Sequence, residues 1–243
     1  MVKKKILIVN DEKSVGEMLK PYLNDEGLDA LTAHNCKDAC VLIEREKPDL
    51  IVLDILLPDL SGIDFCAKIR KKSNIPIIFL SCKTETIDKI VALSVGGDDY
   101  VTKPFLPEEL IARIKALLRR MELDIDEARH KGVYEAPGLK LNIATREVFV
   151  NGENVYFTVK EFDILRLLMQ NAKRVYTPRQ LFEYAWRENS VPGDEKTIMV
   201  YISNIRKKLL TGNEDKNYIV NVRGLGYKFN YPIKNSIDSD DSI

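Results

Sequence analysis

The chain has 243 residues, 45% of them apolar and 30% charged. That suits one or two globular domains of roughly 100–200 residues each, and excludes wholesale disorder, collagen-like repeats and disulfide-stapled miniproteins. The net charge is zero, yet Arg129 to Lys234 carries 18 Lys and Arg against 11 Asp and Glu, a balance of +7, so acidic stretches outside it hide a basic module.

From the N-terminus, Met1–Asn10 is basic at its start, but its apolar run is too short for a secretion signal. No apolar run approaches the ~18 residues of a membrane span, so the chain reads as cytoplasmic, with no membrane partner. Ile6–Val9 predicts a buried strand, followed by a helix with Val15, Met18, Leu19, Tyr22 and Leu23 on one face. Asp29–Thr32 is a weaker strand. Leu50–Leu53 and Ile75–Leu80 are continuous apolar runs, the mark of a sheet covered on both faces. Asp99–Val101 is a short fifth strand, and a helix from Pro107 to about Met121 closes the half. This alternation predicts an α/β fold with a doubly wound parallel sheet. Cys36, Cys40, Cys66 and Cys82 show no Cys-x-x-Cys spacing and read as free core thiols.

Residues 122–137 have mixed charge and little apolar period, which predicts a linker between a domain at 1–121 and another at 138–232. Gly138–Asn142, Arg146–Val150 and Asn154–Thr158 alternate apolar and polar residues, with Asn151-Gly152 as a hairpin turn. Three helices follow, at Val159–Gln170, Pro178–Arg187 and Glu195–Leu210. Tyr218–Val222, a turn over Arg223–Gly226, and Tyr227–Tyr231 form a last hairpin. The second half is therefore α+β, and 233–243 reads as a loose tail.

In open parallel sheets, ligands bind beyond the carboxyl ends of the strands. There the first half places Asn10, Asp11 and Glu12, then Asp54, then Ser81, then Thr102, Lys103 and Pro104. A strand-terminal Asp alone is commonplace; carboxylates, a hydroxyl and one ammonium converging from four strand ends are not. The set suits phosphoryl transfer onto Asp54, with Mg²⁺ neutralising the phosphoryl charge. Asp11, Asp54 and the Leu56 backbone carbonyl would ligate the metal. Lys103 would pair with one phosphoryl oxygen, and Ser81 would hydrogen-bond another. An aspartyl-phosphate hydrolase would want a second acid two residues after its nucleophile, where this chain has Leu56.

Leu50-Ile-Val-Leu-Asp-Ile-Leu-Leu-Pro-Asp-Leu-Ser-Gly62 and Asp98-Asp-Tyr-Val-Thr-Lys-Pro-Phe105 resemble the receiver domain of two-component response regulators. The resemblance implies a flavodoxin-like strand order, Asp54 as acceptor of a phosphoryl group from a sensor histidine kinase, and Ser81 and Tyr100 as switch residues. It also implies Lys103 as the phosphate-binding lysine and a cis bond before Pro104. The family usually has two acids where this chain has Asn10-Asp11. Asn10 can hold a metal-bound water through its amide oxygen but brings one negative charge fewer, which predicts weaker Mg²⁺ affinity and leaves a phosphorylation-independent regulator as the alternative reading. Cys82 stands where a smaller residue is common and could hinder water reaching the phosphate.

In the second half, Ile198, Ile202, Ile205 and Leu209 form a core stripe along a helix. Opposite lie Lys196, Val200, Ser203, Asn204 and Lys207, flanked by Thr197, Met199, Tyr201, Arg206 and Lys208. Such a mixture of cations, an amide, a hydroxyl and a small apolar group suits a DNA major groove. A helix after a shorter helix and a turn is the helix-turn-helix layout. Arg223, at the tip of the last hairpin, suits a narrow minor groove.

Phe157-Thr-Val-Lys-Glu-Phe-Asp-Ile-Leu165, Thr197-Ile-Met-Val-Tyr-Ile-Ser-Asn-Ile-Arg-Lys-Lys-Leu209 and Tyr218-Ile-Val-Asn-Val-Arg-Gly-Leu-Gly-Tyr227 resemble the winged helix-turn-helix domain of the OmpR/PhoB family. The resemblance implies that Glu195–Leu210 is the recognition helix on double-stranded DNA and that Arg223 belongs to the wing. It also implies that the loop Trp186–Asp194 touches RNA polymerase. A homodimer formed on activation is implied through Lys89, Asp98, Asp99, Glu109 and Arg113, with pairs such as Lys89–Glu109 and Asp99–Arg113 across it. An RNA-binding antitermination regulator is the competing class, and the winged-helix signature argues against it.

Overall fold

The computed structural model describes residues 3–82, 86–128, 132–187, 190, 194–210 and 216–236, the side chains of 86–89, 122–128, 194 and 236 excepted. The chain divides into two compact units, Met1–Arg120 and Met121–Ile243.

In the first unit, strands β1 (Lys5–Val9), β2 (Asp29–Ala33), β3 (Leu50–Asp54), β4 (Ile77–Ser81) and β5 (Asp99–Thr102) form a parallel sheet in the order β2-β1-β3-β4-β5. This is the flavodoxin-like order, in which the sequence direction reverses beside β1 and opens a crevice at the carboxyl ends of β1 and β3. Strands β3 and β4 are buried at every residue, as their unbroken apolar runs require. Helices α1 (Lys13–Asp25), α2 (Cys36–Glu46), α3 (Gly62–Ile69), α4 (Thr86–Ser94) and α5 (Pro107–Ala128) connect and follow the strands. Helix α1 buries Gly16, Leu19 and Leu23, whereas Met18 and Tyr22 are exposed, so its inward face is narrower than its apolar pattern suggests. Asn35 caps α2 by accepting the Asp38 N–H, and Ser61 caps α3 by accepting the Ile63 N–H.

In the second unit, β6 (Val133–Ala136), β7 (Leu139–Asn142), β8 (Glu147–Val150), β9 (Glu153–Val155) and β12 (Lys234–Ser236) make an antiparallel sheet in the order β12-β6-β7-β8-β9. Helices α6 (Val159–Gln170), α7 (Pro178–Trp186) and α8 (Asp194–Leu209) precede the hairpin β10 (Ile219–Val222)–β11 (Gly226–Phe229). Thr158 with Glu161, and Thr177 with Gln180, form reciprocal capping boxes that start α6 and α7. Residues 159–169 of α6 are all buried, which makes it the central helix of this unit.

Two boundaries differ from the sequence reading. The linker expected at 122–137 is helix α5 as far as Ala128, and it includes all of β6. The tail expected from residue 233 begins with β12, whose residues pair with β6: Lys234 with Glu135 and Asn235 with Tyr134. Backbone pairing supplies the order there, which side-chain periodicity does not reveal.

Candidate functional site

At the carboxyl end of the first sheet, Asp54 ends β3 with 3% of its surface exposed. Its carboxylate is held by three donors. Lys103 Nζ lies 2.6 Å from Oδ2, Asn10 Nδ2–H donates to the same oxygen at 2.8 Å, and the Leu56 N–H donates to Oδ1 at 2.9 Å. Lys103 is carried in by the turn after β5, where its N–H donates to the Ser81 carbonyl at 2.7 Å and its bond to Pro104 is cis. Burial pulls the Lys103 ammonium down, but the hydrogen bond and charge of Asp54, then those of Glu12, outweigh it and leave Lys103 above its ordinary value. Ser81 is buried at the end of β4, one residue past Leu80, which stands opposite Asp54. Of the residues expected to converge, Asn10, Asp54 and Lys103 meet through their side chains and Ser81 meets Lys103 through its carbonyl, while Asp11 is exposed.

Asn10 is oriented by its neighbours. Its Oδ1 accepts the Glu12 N–H at 2.9 Å while its Nδ2–H faces Asp54. A carboxylate cannot donate and an amide N–H cannot accept, so the two contacts allow only this orientation. One lone pair of the Asn10 amide oxygen is thus taken by backbone, while its amide N–H gives Asp54 a donor where a second carboxylate could give none.

Mg²⁺ takes one or two carboxylates and otherwise keeps water or carbonyl oxygens. Asp11, Asp54 and the Leu56 carbonyl would supply such a hard-oxygen set. Among the described residues no group of three acid, His or Cys side chains could hold a metal ion. Carboxylates and a carbonyl are the donors that a water-rich Mg²⁺ accepts.

Three residues of the pocket were missed as site residues. Glu12 Oε1 is the second partner of Lys103, at 3.2 Å, and its place three residues after the strand was the available signal. His34 Nδ1 lies 3.1 Å from the Asn10 carbonyl, which nothing in the sequence foretold. Gly62 opens α3 against the backbone of Asp54, where an added Cβ would overlap the Asp54 carbonyl oxygen. The glycine is thus required by close approach.

The face expected to form a dimer is largely closed on itself. Asp98 is 0% exposed; it accepts from Arg70 Nη2 and from the Ile77 N–H, both at 2.9 Å, so it is a buried anchor and not an interface residue. Arg113 pairs within the chain with Asp99 at 3.0 Å and with Glu109 at 3.1 Å. The Lys89 side chain lies outside the described residues. Tyr100, paired with Phe79 across the sheet, is buried in the core cluster that also holds Ala92 and Cys66.

In the second unit the core stripe of α8 is as expected, with Ile198, Ile202, Ile205 and Leu209 all buried. The outward arc, however, is rotated. Tyr201 is 1% exposed, its ring edge-on to Trp186 at 5.2 Å. Thr197 is buried, and Lys208 pairs with buried Glu161 and lies over the Phe157 ring. These three are structural and leave the DNA-contact set. At 100° per residue, burial on that side turns the exposed arc by about 50° toward Met199. Lys196, Met199, Ser203 and Lys207 are exposed, and Val200 and Asn204 are partly so. Arg206 is turned back, donating twice to the Ile219 carbonyl and thereby fixing α8 against the hairpin. Arg223 is exposed at the hairpin tip. Of the loop expected to touch polymerase, 188–189 and 191–193 lie outside the described residues.

Residues 6–115 match the family described as response regulator receiver domain. Residues 152–229 match that described as transcriptional regulatory protein, C terminal. The sensory transduction protein RegX3 of Mycolicibacterium smegmatis is 40% identical over 223 residues, covering 92% of this chain and 97% of its own. The alkaline phosphatase synthesis transcriptional regulatory protein PhoP of Bacillus subtilis is 39% identical over 238 residues, covering 96% and 99%. Among solved structures, a cysteine-to-aspartate mutant of RitR has a TM-score of 0.76 at 27% identity, covering 93% of this chain and 99% of its own.

Proposed function

This chain belongs to the OmpR/PhoB family of two-component response regulators, transcription regulators with a DNA-binding domain, and on that premise we propose that Asp54 accepts a phosphoryl group from a sensor histidine kinase and that the acyl phosphate promotes dimerisation and DNA binding. The observation that carries this reading is Lys103 Nζ, 2.6 Å from Asp54 Oδ2 at the end of the sheet.

An Asp54 carboxylate oxygen attacks phosphorus while the phosphorus–nitrogen bond to the donor imidazole breaks, and the imidazole leaves with a proton from solvent. Lys103 is charged and already in place, so it meets the developing phosphoryl charge without reorganising. The Leu56 N–H and the Asn10 amide hold the carboxylate in one orientation. Asp11, Asp54 and the Leu56 carbonyl would hold Mg²⁺, which when bound neutralises phosphoryl charge. Ser81 supplies the hydroxyl to a phosphoryl oxygen, and its movement is read by Tyr100 on the neighbouring strand. Dimerisation through Asp99, Glu109, Arg113 and Lys89 requires Arg113 to exchange its in-chain partners, so these pairs set register more than affinity. RNA polymerase is the further partner in activation. Phosphodonor plus Mg²⁺ followed by intact mass tests the acceptor: one added phosphoryl group on wild type and none on Asp54→Ala is expected, and equal labelling of both refutes it.

A further inference from the structure

Two cysteines of helix α2 leave space in the first unit. Cys36 and Cys40 are one helical turn apart, with Ile43 on the same side. All three line a cleft of about 700 Å³ whose opposite wall is Phe65, Lys68 and Ile69 of α3. A leucine in place of either thiol would fill part of that space. The floor is apolar, because Ile43 and Leu60 pack on the core cluster that holds Phe65 and Ile69. Burial, then Glu44, pushes the Cys40 thiol up, so it lines the cleft as a neutral group. The rim is basic: Lys37, Lys68, Lys71 and Lys72 are exposed. Among the described residues none of the four has a carboxylate partner. Two acids also line the cleft. Asp59 accepts the Cys36 N–H at 3.0 Å and the Lys37 N–H at 3.1 Å, which hold its carboxyl below the ordinary value and turn its charge onto the start of α2. That leaves Glu44 against four lysines, so the rim attracts an anion.

We propose that the cleft between α2 and α3 binds a small anionic amphiphile, an apolar body carrying a carboxylate, with the body on Ile43, Leu60, Phe65 and Ile69 and the carboxylate among the rim lysines. A lysine run over a flat surface would be no more than a solvated face. Here the cations stand over an apolar floor, and their own stems extend its walls. Size decides between a small molecule and a protein. Thirteen residues line the cleft, against the ~20–30 that each side of a stable protein interface contributes. Its volume lies within the ~300–1,000 Å³ of small-molecule sites, which are likewise mostly apolar with a few polar groups. None of its residues belongs to the Asp54 pocket, so the site stands apart from the phosphoryl reading and does not depend on it.

The test uses the full-length chain and decanoate at submicellar concentration. Bound decanoate should slow modification of Cys40 by a thiol reagent, read by mass mapping, and leave the rate at Cys82, outside the cleft, unchanged. Cys40→Phe fills the cleft from an exposed position, so it folds; in calorimetry it should weaken decanoate about tenfold or more, as lost apolar contact requires. Lys68→Gln combined with Lys72→Gln should weaken it roughly fivefold, the scale of exposed ion pairs, and decanol should bind wild type more weakly by a similar factor. The proposal is overturned if decanoate slows Cys40 and Cys82 alike or neither, or if Cys40→Phe binds it as wild type does. Decanol binding as tightly as decanoate, or no loss in the lysine variant, overturns the carboxylate assignment. Protection of Cys40 that appears without decanoate as protein concentration rises gives the cleft to a second copy of the chain and overturns the proposal too.

Discussion

Replacing Asn10 by Asp restores the acid usual in the family and, on this geometry, destabilises the metal-free chain. Asn10 Nδ2 is 2.8 Å from Asp54 Oδ2, and both residues are buried. The substitution removes a hydrogen bond to a charged group, worth about 1.5–3 kcal/mol. It also sets two carboxylates side by side, a repulsion of about 4 kcal/mol at 4 Å in an effective dielectric near 20. Lys103, 2.6 Å from Asp54, offsets part of that repulsion. A net loss of about 2–4 kcal/mol follows, or roughly 8–16 °C in the melting of the receiver unit. Asn10→Ala, which removes the donor without adding charge, should lose about half as much. Thermal melting at pH 8 in EDTA and in millimolar Mg²⁺ reads both effects. Asn10→Asp is expected to melt well below wild type in EDTA and to recover in Mg²⁺. Equal melting of Asn10→Asp and wild type in EDTA would refute the donor role assigned to Asn10.

Other outcomes follow from single contacts. Gly62→Ala should cost about 1–3 kcal/mol in denaturant melts and slow Asp54 labelling, because the new methyl meets the Asp54 backbone; an unchanged labelling rate would contradict this. Tyr201→Ala should cost about 3–5 kcal/mol as a core truncation, whereas Lys207→Ala should leave stability alone and lower the salt dependence of DNA binding by about one phosphate contact. Burial, then the nearby Asp59, pushes the Cys36 thiol up to about 12. It stays neutral in the fold at pH values where the unfolded thiol, near 9.0, ionises. Its stabilising contribution is thus complete below pH 9 and is lost as the pH climbs toward 12. At pH 8 a thiol reagent should modify exposed Cys40 and Cys82 and spare Cys36 and Cys66, which mass mapping would check.

The parts of the fold visible in the sequence are those where one local rule dominates. Strands β3 and β4 are unbroken apolar runs because both faces are covered. Helices α6 and α7 announce their starts through Thr158–Glu161 and Thr177–Gln180. The pocket was legible because its residues sit one after another at strand ends. What escaped depends on distant partners. Asp98 looks like a surface acid until Arg70, 28 residues away, is brought onto it. The roll of α8 is set by Trp186 and Glu161, not by its own stripe, so Tyr201 and Lys208 pointed outward on periodicity alone. The free cysteines divide likewise: Cys36 and Cys66 are buried, but Cys40 and Cys82 are exposed, against the reading of all four as core thiols. The extension of α5 through residues 122–128 carries no apolar period, so its sequence reads as linker.

The most direct measurement titrates one duplex, recovered by selection, with wild type and with Asp54→Ala, each before and after phosphodonor and Mg²⁺. Tighter duplex binding on treatment for wild type, accompanied by conversion from monomer to dimer in sedimentation, and neither change for Asp54→Ala, is the predicted result. Identical affinity of treated and untreated wild type, at full occupancy of the acceptor by mass, would contradict the account.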